Sequence, residues 1–180
     1  MQKLDITNLL SVVCYDENDY VKKNKDVYAG IQKVLSSFDD DDMLSWCKDY
    51  IENLNGDIFL SGKKFEIFLL KQKRDVVSFA VLCCGNLDMI WTHFDFAKLG
   101  FATILLRAVA IFQKDKNCCK FCANVKKNNL IAQSLMDSFA KTQNIKCKKT
   151  ELLDGSLKYA FDVCALDANR LLEDIKKMAY

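Results

Sequence analysis

Five segments of the chain place apolar residues three or four positions apart, the spacing of a helix with one apolar face. They are residues 21–38, 43–54, 101–113, 128–141 and 167–180. In the first of these, Val27, Ile31 and Val34 share one face, so their side chains can pack together on a core. The pattern therefore predicts five helices, two before the middle of the chain and three after it.

Between the second and the third predicted helix, the pattern changes to short apolar runs. Residues 65–72 and 76–84 are rich in Phe, Ile, Leu and Val, and the polar residues 73–75 separate them, which predicts an antiparallel pair. A turn at 85–88 leads into a third predicted strand at 89–94. Three consecutive strands joined by short turns form a meander.

Three further strands are predicted in the second half of the chain. Residues 120–125 form a short apolar run, and residues 146–153 and 157–166 flank Asp154 and Gly155, a dipeptide typical of a hairpin turn. The resulting order of helices and strands predicts an α/β or α+β fold. We expect a mixed, mainly antiparallel sheet flanked by helices, with the last helix as an addition at the C-terminal end.

The composition is that of one ordinary globular domain. The chain has 180 residues, of which 51% are hydrophobic and 28% charged, and it has no Pro and only six Gly, so no flexible linker divides it. We therefore expect a single domain over residues 1–180. A net charge of +2 is too small to indicate a nucleic acid or a membrane surface as partner. We expect neither a signal peptide nor a membrane helix, because no apolar run is long enough.

Residues 39–42 are four consecutive Asp between the first two predicted helices. Such an acidic run can attract a basic partner. It can also be a solvated loop whose last residue, Asp42, caps the next helix, because negative charge is favourable at a helix N-terminus. We expect the cap.

The nine Cys are spread over predicted helices and strands, without the loop framework that suits disulfides. An odd number of scattered thiols indicates reduced cysteines and a cytoplasmic or nuclear protein. Cys118, Cys119 and Cys122 form the densest group, and a C-x-x-C pair can begin a zinc site. No second pair follows at a suitable distance, and His93 is the single histidine of the sequence, so no metal site is expected.

Residues 88–113 join a predicted strand to a predicted helix through a tight turn at Gly100. A helix that follows such a turn offers free backbone N–H groups and the positive end of its dipole, which together suit a phosphate-bearing ligand. The sequence contains neither G-x-x-x-x-G-K-[ST] nor G-x-G-x-x-G, so a plain nucleotide-binding domain is not favoured.

Two short stretches carry a family resemblance. Residues 97–102, with the sequence AKLGFA, align with the pattern Arg/Gln-x-x-Gly-x-Gly/Ala between a strand and a helix. Residues 129–136, with the sequence NLIAQSLM, align with Asn-x-x-Ala-x-x-Leu-Tyr. In these motifs, and in the order of elements over residues 65–166, the chain resembles a divergent member of the GNAT superfamily of acyl-CoA N-acyltransferases.

This resemblance implies that the turn binds acetyl-CoA as a co-substrate. Backbone N–H groups of the turn would hold the pyrophosphate, and Gly100 would let the backbone approach it closely. The end of the preceding strand, which is bulged in the family, would pair with the pantetheine arm. The cofactor-binding residues implied are Thr92, His93, Phe94, Lys98, Leu99, Gly100, Phe101, Ala102, Thr103 and Asn129.

Two positions depart from the family pattern. Ala97 replaces the leading Arg or Gln near the phosphates, and Met136 replaces a Tyr that often protonates the leaving thiolate, although a thioether has no proton to donate. The acceptor amine must also lose a proton. His93, Asp95 and Glu66 are candidate bases, and we choose His93 for its ordinary pKa. The structural alternatives are a His93 satisfied by a backbone group and an Asp95 that caps the turn.

The function implied is direct transfer of acetyl from acetyl-CoA to an amine of a small molecule or a protein, with no cysteine nucleophile. The alternative is a catalytically inactive protein that keeps the GNAT fold as an interaction scaffold, because Ala97 and Met136 permit a loss of catalysis. In either case the C-terminal helix is expected to cover the core or to form a homodimer contact.

Overall fold

The computed structural model describes residues 1–39, 41–54 and 62–178, which contain one eight-stranded sheet and five α-helices. The strands are β1 (Gln2–Asp5), β2 (Leu10–Asp16), β3 (Phe65–Gln72), β4 (Asp75–Cys83), β5 (Asn86–Thr92), β6 (Lys120–Val125), β7 (Lys146–Glu151) and β8 (Leu157–Asp162). The helices are α1 (Glu17–Leu35), α2 (Asp41–Asn53), α3 (Phe101–Asp115), α4 (Leu130–Thr142) and α5 (Ala168–Met178).

The sheet is mixed and mainly antiparallel, as the sequence predicts. Its strand order is β1-β2-β3-β4-β5-β6-β8-β7, and β5 with β6 is the parallel pair among these neighbours. The meander of β3, β4 and β5 and the hairpin of β7 and β8 are both present. The predicted bounds of β3 and β6 agree with the structure to the residue.

Helices cover the sheet on two sides, which gives two hydrophobic clusters. The first cluster joins α3, α4 and α5 to the sheet, and the second joins α1 and α2 to β2, β3, β4 and β5. In β3, Phe68 and Leu70 belong to the first cluster while Ile67 and Leu69 belong to the second. This strand is a continuous apolar run because it is buried on both faces.

The first strand pair, β1 with β2, was not predicted, since the sequence indicated only helices before the meander. β2 lies between β1 and β3, and its consecutive residues Val12 and Val13 enter opposite clusters. β1 is an exposed edge strand with little apolar content, so its periodicity gives a weak signal. The Thr7 Oγ1 closes the turn by accepting hydrogen bonds from the N–H groups of Leu9 and Leu10.

The ends of several helices also differ from the prediction. α1 begins at Glu17 instead of residue 21, because Asp16 caps it by accepting a 2.8 Å hydrogen bond from the N–H of Asp19. α2 already begins at Asp41, so Asp42 lies in its first turn and is not the cap. The stop predicted at residues 55–56 lies outside the described residues.

α5 takes the first of the two roles expected for the C-terminal helix. Its residues Leu171 and Ile175 are buried in the first cluster, so it covers the core beside α3. In the described part of the chain, no helix combines the length and apolar character that crossing a membrane requires.

The expectation that every cysteine is reduced is wrong for one pair. Cys119 and Cys164, 45 positions apart in sequence, form a disulfide with Cα atoms 4.6 Å apart. The pairing of β6 with β8 places Lys120 opposite Asp162 and so brings these flanking cysteines together. Cys119 is therefore not free to form a C-x-x-C metal site with Cys122. In the three described ranges, no three His, Cys, Asp or Glu are grouped to hold a metal ion.

Gly30 allows α1 to pack closely on β4. A Cβ at this position would lie 2.6 Å from the Cγ2 atom of Val76, whose short β-branched side chain has little freedom to move. We expect Gly30→Ala to lower the free energy of unfolding by about 1 kcal/mol, because overpacking outweighs the better helix propensity of Ala. Chemical denaturation measures this change.

The matched test is the double variant with Val76→Ala. Removing the Val76 methyl groups makes room for the new Cβ, so the two changes together should cost less than their sum. A Gly30→Ala variant as stable as the parent chain, or strictly additive effects, would contradict the close contact.

Candidate functional site

The two parallel strands at the centre of the sheet part soon after they meet. β5 and β6 are paired only at Asn86 with Cys122 and at Leu87 with Ala123. Beyond these pairs β5 continues to Thr92 and β6 to Val125 without a ladder between them in the described residues. The strands thus form a V whose apex is Leu87 with Ala123 and whose open end faces the segments that follow both strands.

A β-bulge lies beside the apex of the V. The register of β4 with β5 shifts so that Leu82 pairs with Leu87 and Val81 pairs with Met89, which leaves Asp88 as the extra residue. The family resemblance places a bulge near residues 92–94, and the structure places it at Asp88 instead. Because a bulge adds one residue to the strand, Leu87 and Met89 enter opposite hydrophobic clusters.

The turn after β5 presents the start of α3 to the open end of the V. Gly100 is the N-cap residue of α3 and has a φ of 84°, in the left-handed region that glycine adopts without strain. The N–H of Ile104 donates a 3.0 Å hydrogen bond to the Gly100 carbonyl. The N–H groups before it, those of Phe101, Ala102 and Thr103, precede the first intrahelical bond and point out of the helix end.

α4 begins at the corresponding place after β6. Asn129 is its N-cap, and the side-chain oxygen accepts a 3.0 Å hydrogen bond from the N–H of Ala132. Parallel strands end at the same edge of a sheet, so the N-termini of α3 and α4 both lie at the open end of the V. Two helix dipoles therefore present their positive ends there, which favours an anion.

Large apolar side chains are exposed in these same two segments. Phe94 and Leu99, in the turn after β5, are 64% and 61% exposed, and Leu130 and Ile131, at the start of α4, are 71% and 86% exposed. Isolated exposed apolar residues need no explanation, but two pairs at the mouth of one opening form a surface suited to a partly apolar ligand.

The structure gives His93 a local structural contact. Its Nδ1 atom accepts a 3.3 Å hydrogen bond from the N–H of Asp95, so His93 caps the short 3-10 turn at Phe94–Phe96. Its ring contacts the edge of Phe96. The Asp95 side chain is exposed to solvent. The hydroxyl of Thr92, the last residue of β5, forms a 3.0 Å hydrogen bond with the Ser78 hydroxyl of β4. His93 therefore stands at the open end of the V, with Nε2 as its remaining ring nitrogen.

Glu66, another candidate base, lies elsewhere. Its carboxylate accepts a 2.6 Å hydrogen bond from Gln113 and forms an ion pair with Lys116, both at the C-terminal end of α3. The turn at Gly100 is at the opposite end of that helix. The structure thus separates Glu66 from the turn and gives it a role in fixing α3 to the sheet.

Asp88 is a titratable residue that the sequence pattern did not single out. The Tyr50 hydroxyl, on α2, donates a 2.5 Å hydrogen bond to the Asp88 carboxylate. Asp88 is exposed, but the atoms packed around its carboxyl partly desolvate it and raise its pKa above the ordinary value, although the Tyr50 bond and nearby Lys63 oppose the shift. Burial and the bond to Asp88 also raise the pKa of Tyr50. A carboxylate beside the apex, with a raised pKa, can accept a proton from a bound group.

Met136 and Tyr159 are both buried in the first hydrophobic cluster. The Met136 side chain is 1% exposed and packs the core. Tyr159 pairs with Ala123 of the V apex, and its hydroxyl is buried without a hydrogen-bond partner in the described structure.

No family model matches the sequence, and no curated protein sequence matches it. Solved structures match its fold. The ribosomal L7/L12 alpha-N-protein acetyltransferase RimL in complex with coenzyme A has a TM-score of 0.57 and 13% identity over 91% of this chain and 99% of its own. The ribosomal-protein-S18-alanine N-acetyltransferase of Escherichia coli has a TM-score of 0.55 and 15% identity over 89% and 98%.

A putative acetyltransferase of the GNAT family from Desulfovibrio desulfuricans is also similar, with a TM-score of 0.52 and 11% identity over 84% of this chain and 99% of its own. Identities this low show the fold alone. The fold expected from the two sequence motifs is thus confirmed as that of the GNAT acetyltransferases.

The raised pKa of Asp88 predicts how stability depends on pH. The folded chain holds the Asp88 proton more tightly than the unfolded chain, so the contribution of this group falls as pH rises from 3.8 through the raised pKa. We expect Asp88→Asn to raise the free energy of unfolding at pH 7 by a fraction of a kcal/mol, because solvent screens this exposed side chain, and to give no gain below the unfolded pKa. Denaturation at several pH values measures the difference.

Asp75→Asn is the matched control. The bond from Lys33 lowers the pKa of Asp75, so this carboxylate stabilises the fold above its unfolded pKa and loses the effect in acid. The pH trends of the two variants should have opposite signs. A trend of the same sign for both would show that the site around Asp88 does not disfavour its charged form.

Proposed function

We propose that this chain, which has the GNAT fold, binds acetyl-CoA and transfers the acetyl group to an amine. The observation that carries the proposal is the V between β5 and β6, which opens onto the N-terminus of α3 at Gly100. The RimL structure with the same fold contains coenzyme A, which supports the choice of co-substrate.

The residues present fit this co-substrate. The N–H groups of Phe101, Ala102 and Thr103 are available to the pyrophosphate, and the left-handed backbone at Lys98 and Gly100 forms the turn around it. The free edge of β5 up to Thr92 offers backbone groups to the amide-bearing pantetheine arm. His93, Phe94 and Leu99 complete the proposed contacts on this side, and Asn129 stands at the start of α4 across the opening.

When bound, the thioester supplies an activated acyl carbon for attack by the amine. The chain must then hold the amine beside the apex and remove its proton, since the ordinary pKa of an alkylamine is about 10.4. Direct attack needs no covalent intermediate on the protein. Ala97 removes a side chain from the phosphate region, but the backbone donors are unaffected by that change.

Two residues are proposed as the proton acceptor. The family resemblance favours His93, because imidazole is the side chain best suited to take up a proton near neutral pH. Asp88 is favoured by position, because the reactive end of an extended cofactor lies far from phosphates held at Gly100. Residues 87 and 93 are separated by about 20 Å of extended strand, so the apex and not the open end is the place for the thioester.

The scaffold alternative has less support. It predicts a closed or blocked cleft, whereas the ladder of β5 with β6 ends after its second pair. Met136 supplies no proton, so the leaving thiolate must depart unaided or take a proton from another group. We place the reaction in the cytoplasm or nucleus, because seven cysteines are free, although the bond of Cys119 to Cys164 is unusual there.

Binding of acetyl-CoA tests the proposal directly. Isothermal titration should give a dissociation constant in the micromolar range for the parent chain, and Gly100→Val should raise it at least about tenfold, since a side chain strains the turn and fills the cradle. Gly155→Val is the control, because Gly155 has a similar φ of 77° in the hairpin turn of β7 and β8. No binding by the parent chain at millimolar acetyl-CoA would refute the proposal.

Release of free thiol with a panel of amines tests the proton acceptor. We expect Asp88→Asn to lower kcat/KM by about 10²-fold and to remove the acidic limb of the pH profile, without changing the affinity for acetyl-CoA. His93→Gln tests the other residue in the same assay.

Glu52→Gln is the matched control for Asp88→Asn. The Tyr28 hydroxyl donates to Glu52 at 3.0 Å, which is the same kind of pair on α1 and α2 but away from the V. Replacing the Glu52 carboxylate should leave turnover unchanged. A larger effect of His93→Gln than of Asp88→Asn would assign the proton to His93.

A further inference from the structure

The strands β6, β8 and β7 have a polar face that no helix covers in the described residues. Alternate residues of these strands form three transverse rows, because directly paired residues point to the same side. We call these nine residues the lysine face. The rows are Lys120-Asp162-Lys146, Cys122-Ala160-Lys148 and Asn124-Lys158-Thr150.

The opposite side of the same strands is the buried one. Phe121, Ala123, Tyr159 and Phe161 alternate with the lysine face and enter the first hydrophobic cluster under α4. The second cluster, under α1 and α2, contains residues of β2, β3, β4 and β5 and none of β6, β7 or β8. The lysine face therefore continues the α2 side of the sheet, and none of the described helices forms a layer over it.

Four positive charges on this face have no ionic partner. Within the described residues, Lys120, Lys146, Lys148 and Lys158 form no salt bridge, whereas neighbouring Lys149, on the other face of β7, is paired with Asp137. Asp162 is the single acidic residue of the face, and its side chain accepts a bond from the N–H of Cys164. The face thus carries uncompensated positive charge although the whole chain has a formal net charge of only +2.

The lysine face adjoins the V. Its residue Asn124 follows Ala123, the last residue of β6 that pairs with β5, and Asp88 follows the partner residue Leu87. Asp88 binds Tyr50 on the α2 side, which is also the side of the lysine face. An acceptor whose amine enters beside Asp88 would therefore extend its remaining chain over these lysines.

The spacing of the lysines favours an extended peptide. Lys146 and Lys148 are two residues apart on one strand, which is about 7 Å, and side chains on one side of an extended peptide repeat at the same distance. No aromatic side chain belongs to the face, so it has no platform on which bases could stack. These features favour carboxylates on a polypeptide over the phosphates of a nucleic acid.

We propose that the amine acceptor is a polypeptide with acidic residues beside its reacting amine, and that the lysine face binds those residues. The proposal rests on the proposed function for the identity of the reacting group. The lysines recognise carboxylates near the reacting amine, while the V holds the co-substrate. Acceptor affinity then falls with ionic strength, since these contacts are solvent-exposed and screened over about 10 Å at 0.1 M salt.

Fluorescence anisotropy of labelled ten-residue peptides tests this without any turnover. The peptides begin with a free Ser amine and continue with alternating Ser and Glu, Gln or Lys. We expect the Glu peptide to bind at least about tenfold more tightly than the Gln peptide, and the Lys peptide not to bind. Lys148→Gln with Lys158→Gln should remove most of the difference.

Lys71→Gln with Lys73→Gln is the matched control, because this double variant also removes two positive charges, but from the opposite half of the sheet. One of its two positions is half-buried and the other exposed, as in the pair Lys158 and Lys148. It should leave the preference for the Glu peptide intact. Equal binding of the Glu and Gln peptides, or equal effects of the two double variants, would overturn the proposal.

Three further measurements distinguish an acidic peptide from different ligands of the lysine face. Tighter binding of a single-stranded oligonucleotide than of the Glu peptide would assign the face to nucleic acid and overturn the proposal. A dimer in sedimentation that Lys148→Gln with Lys158→Gln dissociates would assign it to a second copy and overturn it as well. Calorimetry with acetyl-CoA reports on the proposed function separately, so intact cofactor binding without a Glu preference refutes only the acceptor class.

Discussion

The early end of the pairing between β5 and β6 is the constraint on which the rest of the site depends. β5 is held by β4 on its other edge, and β6 is held by β8, so each strand stays in the sheet after the two part. Backbone N–H and C=O groups along the inner edges of the V then need partners from outside the ladder. An extended ligand with amides of its own is the kind of molecule that can supply them. Gly100, by turning the chain into α3, places a helix N-terminus where such a ligand would carry its negative charge.

The two hydrophobic clusters divide the sheet into parts with different tasks. Both faces of the strands from β2 to β5 are buried, which makes that half a rigid support for the bulge at Asp88. Within the described ranges, the strands β6, β8 and β7 pack on one face, around Phe121, Phe139 and Phe161, and no helix covers the other face. The uncovered face is therefore free to carry charge. The V lies at the boundary of the two halves, so the co-substrate proposed for the V and the acceptor proposed for the lysine face would meet beside Asp88.

Much of the fold could be predicted because its signals are local. Strand β3 is a continuous apolar run and α3 has a broad apolar stripe, and both were predicted with ends close to those observed. The pair of β1 and β2 was missed because an exposed edge strand has few apolar residues. At the site, Gly100 was predicted from its turn. Asp88 was not, because a bulge depends on the register of β4 against β5. The disulfide of Cys119 and Cys164 joins residues that only the β6 and β8 ladder brings together.

The sequence by itself determined the order of helices and strands after residue 16, the turn at Gly100 and the two motifs that indicate a GNAT fold. These features depend on the spacing of apolar residues and on the conformational freedom of glycine, and both are local properties of the sequence. Only the tertiary structure decided where the strands part, which carboxylate stands at the apex and which lysines have no ionic partner among the residues that the structure describes. Each of these is set by strand register and by the absence or presence of a covering helix. Those are contacts between residues far apart in the chain, and no local pattern encodes them.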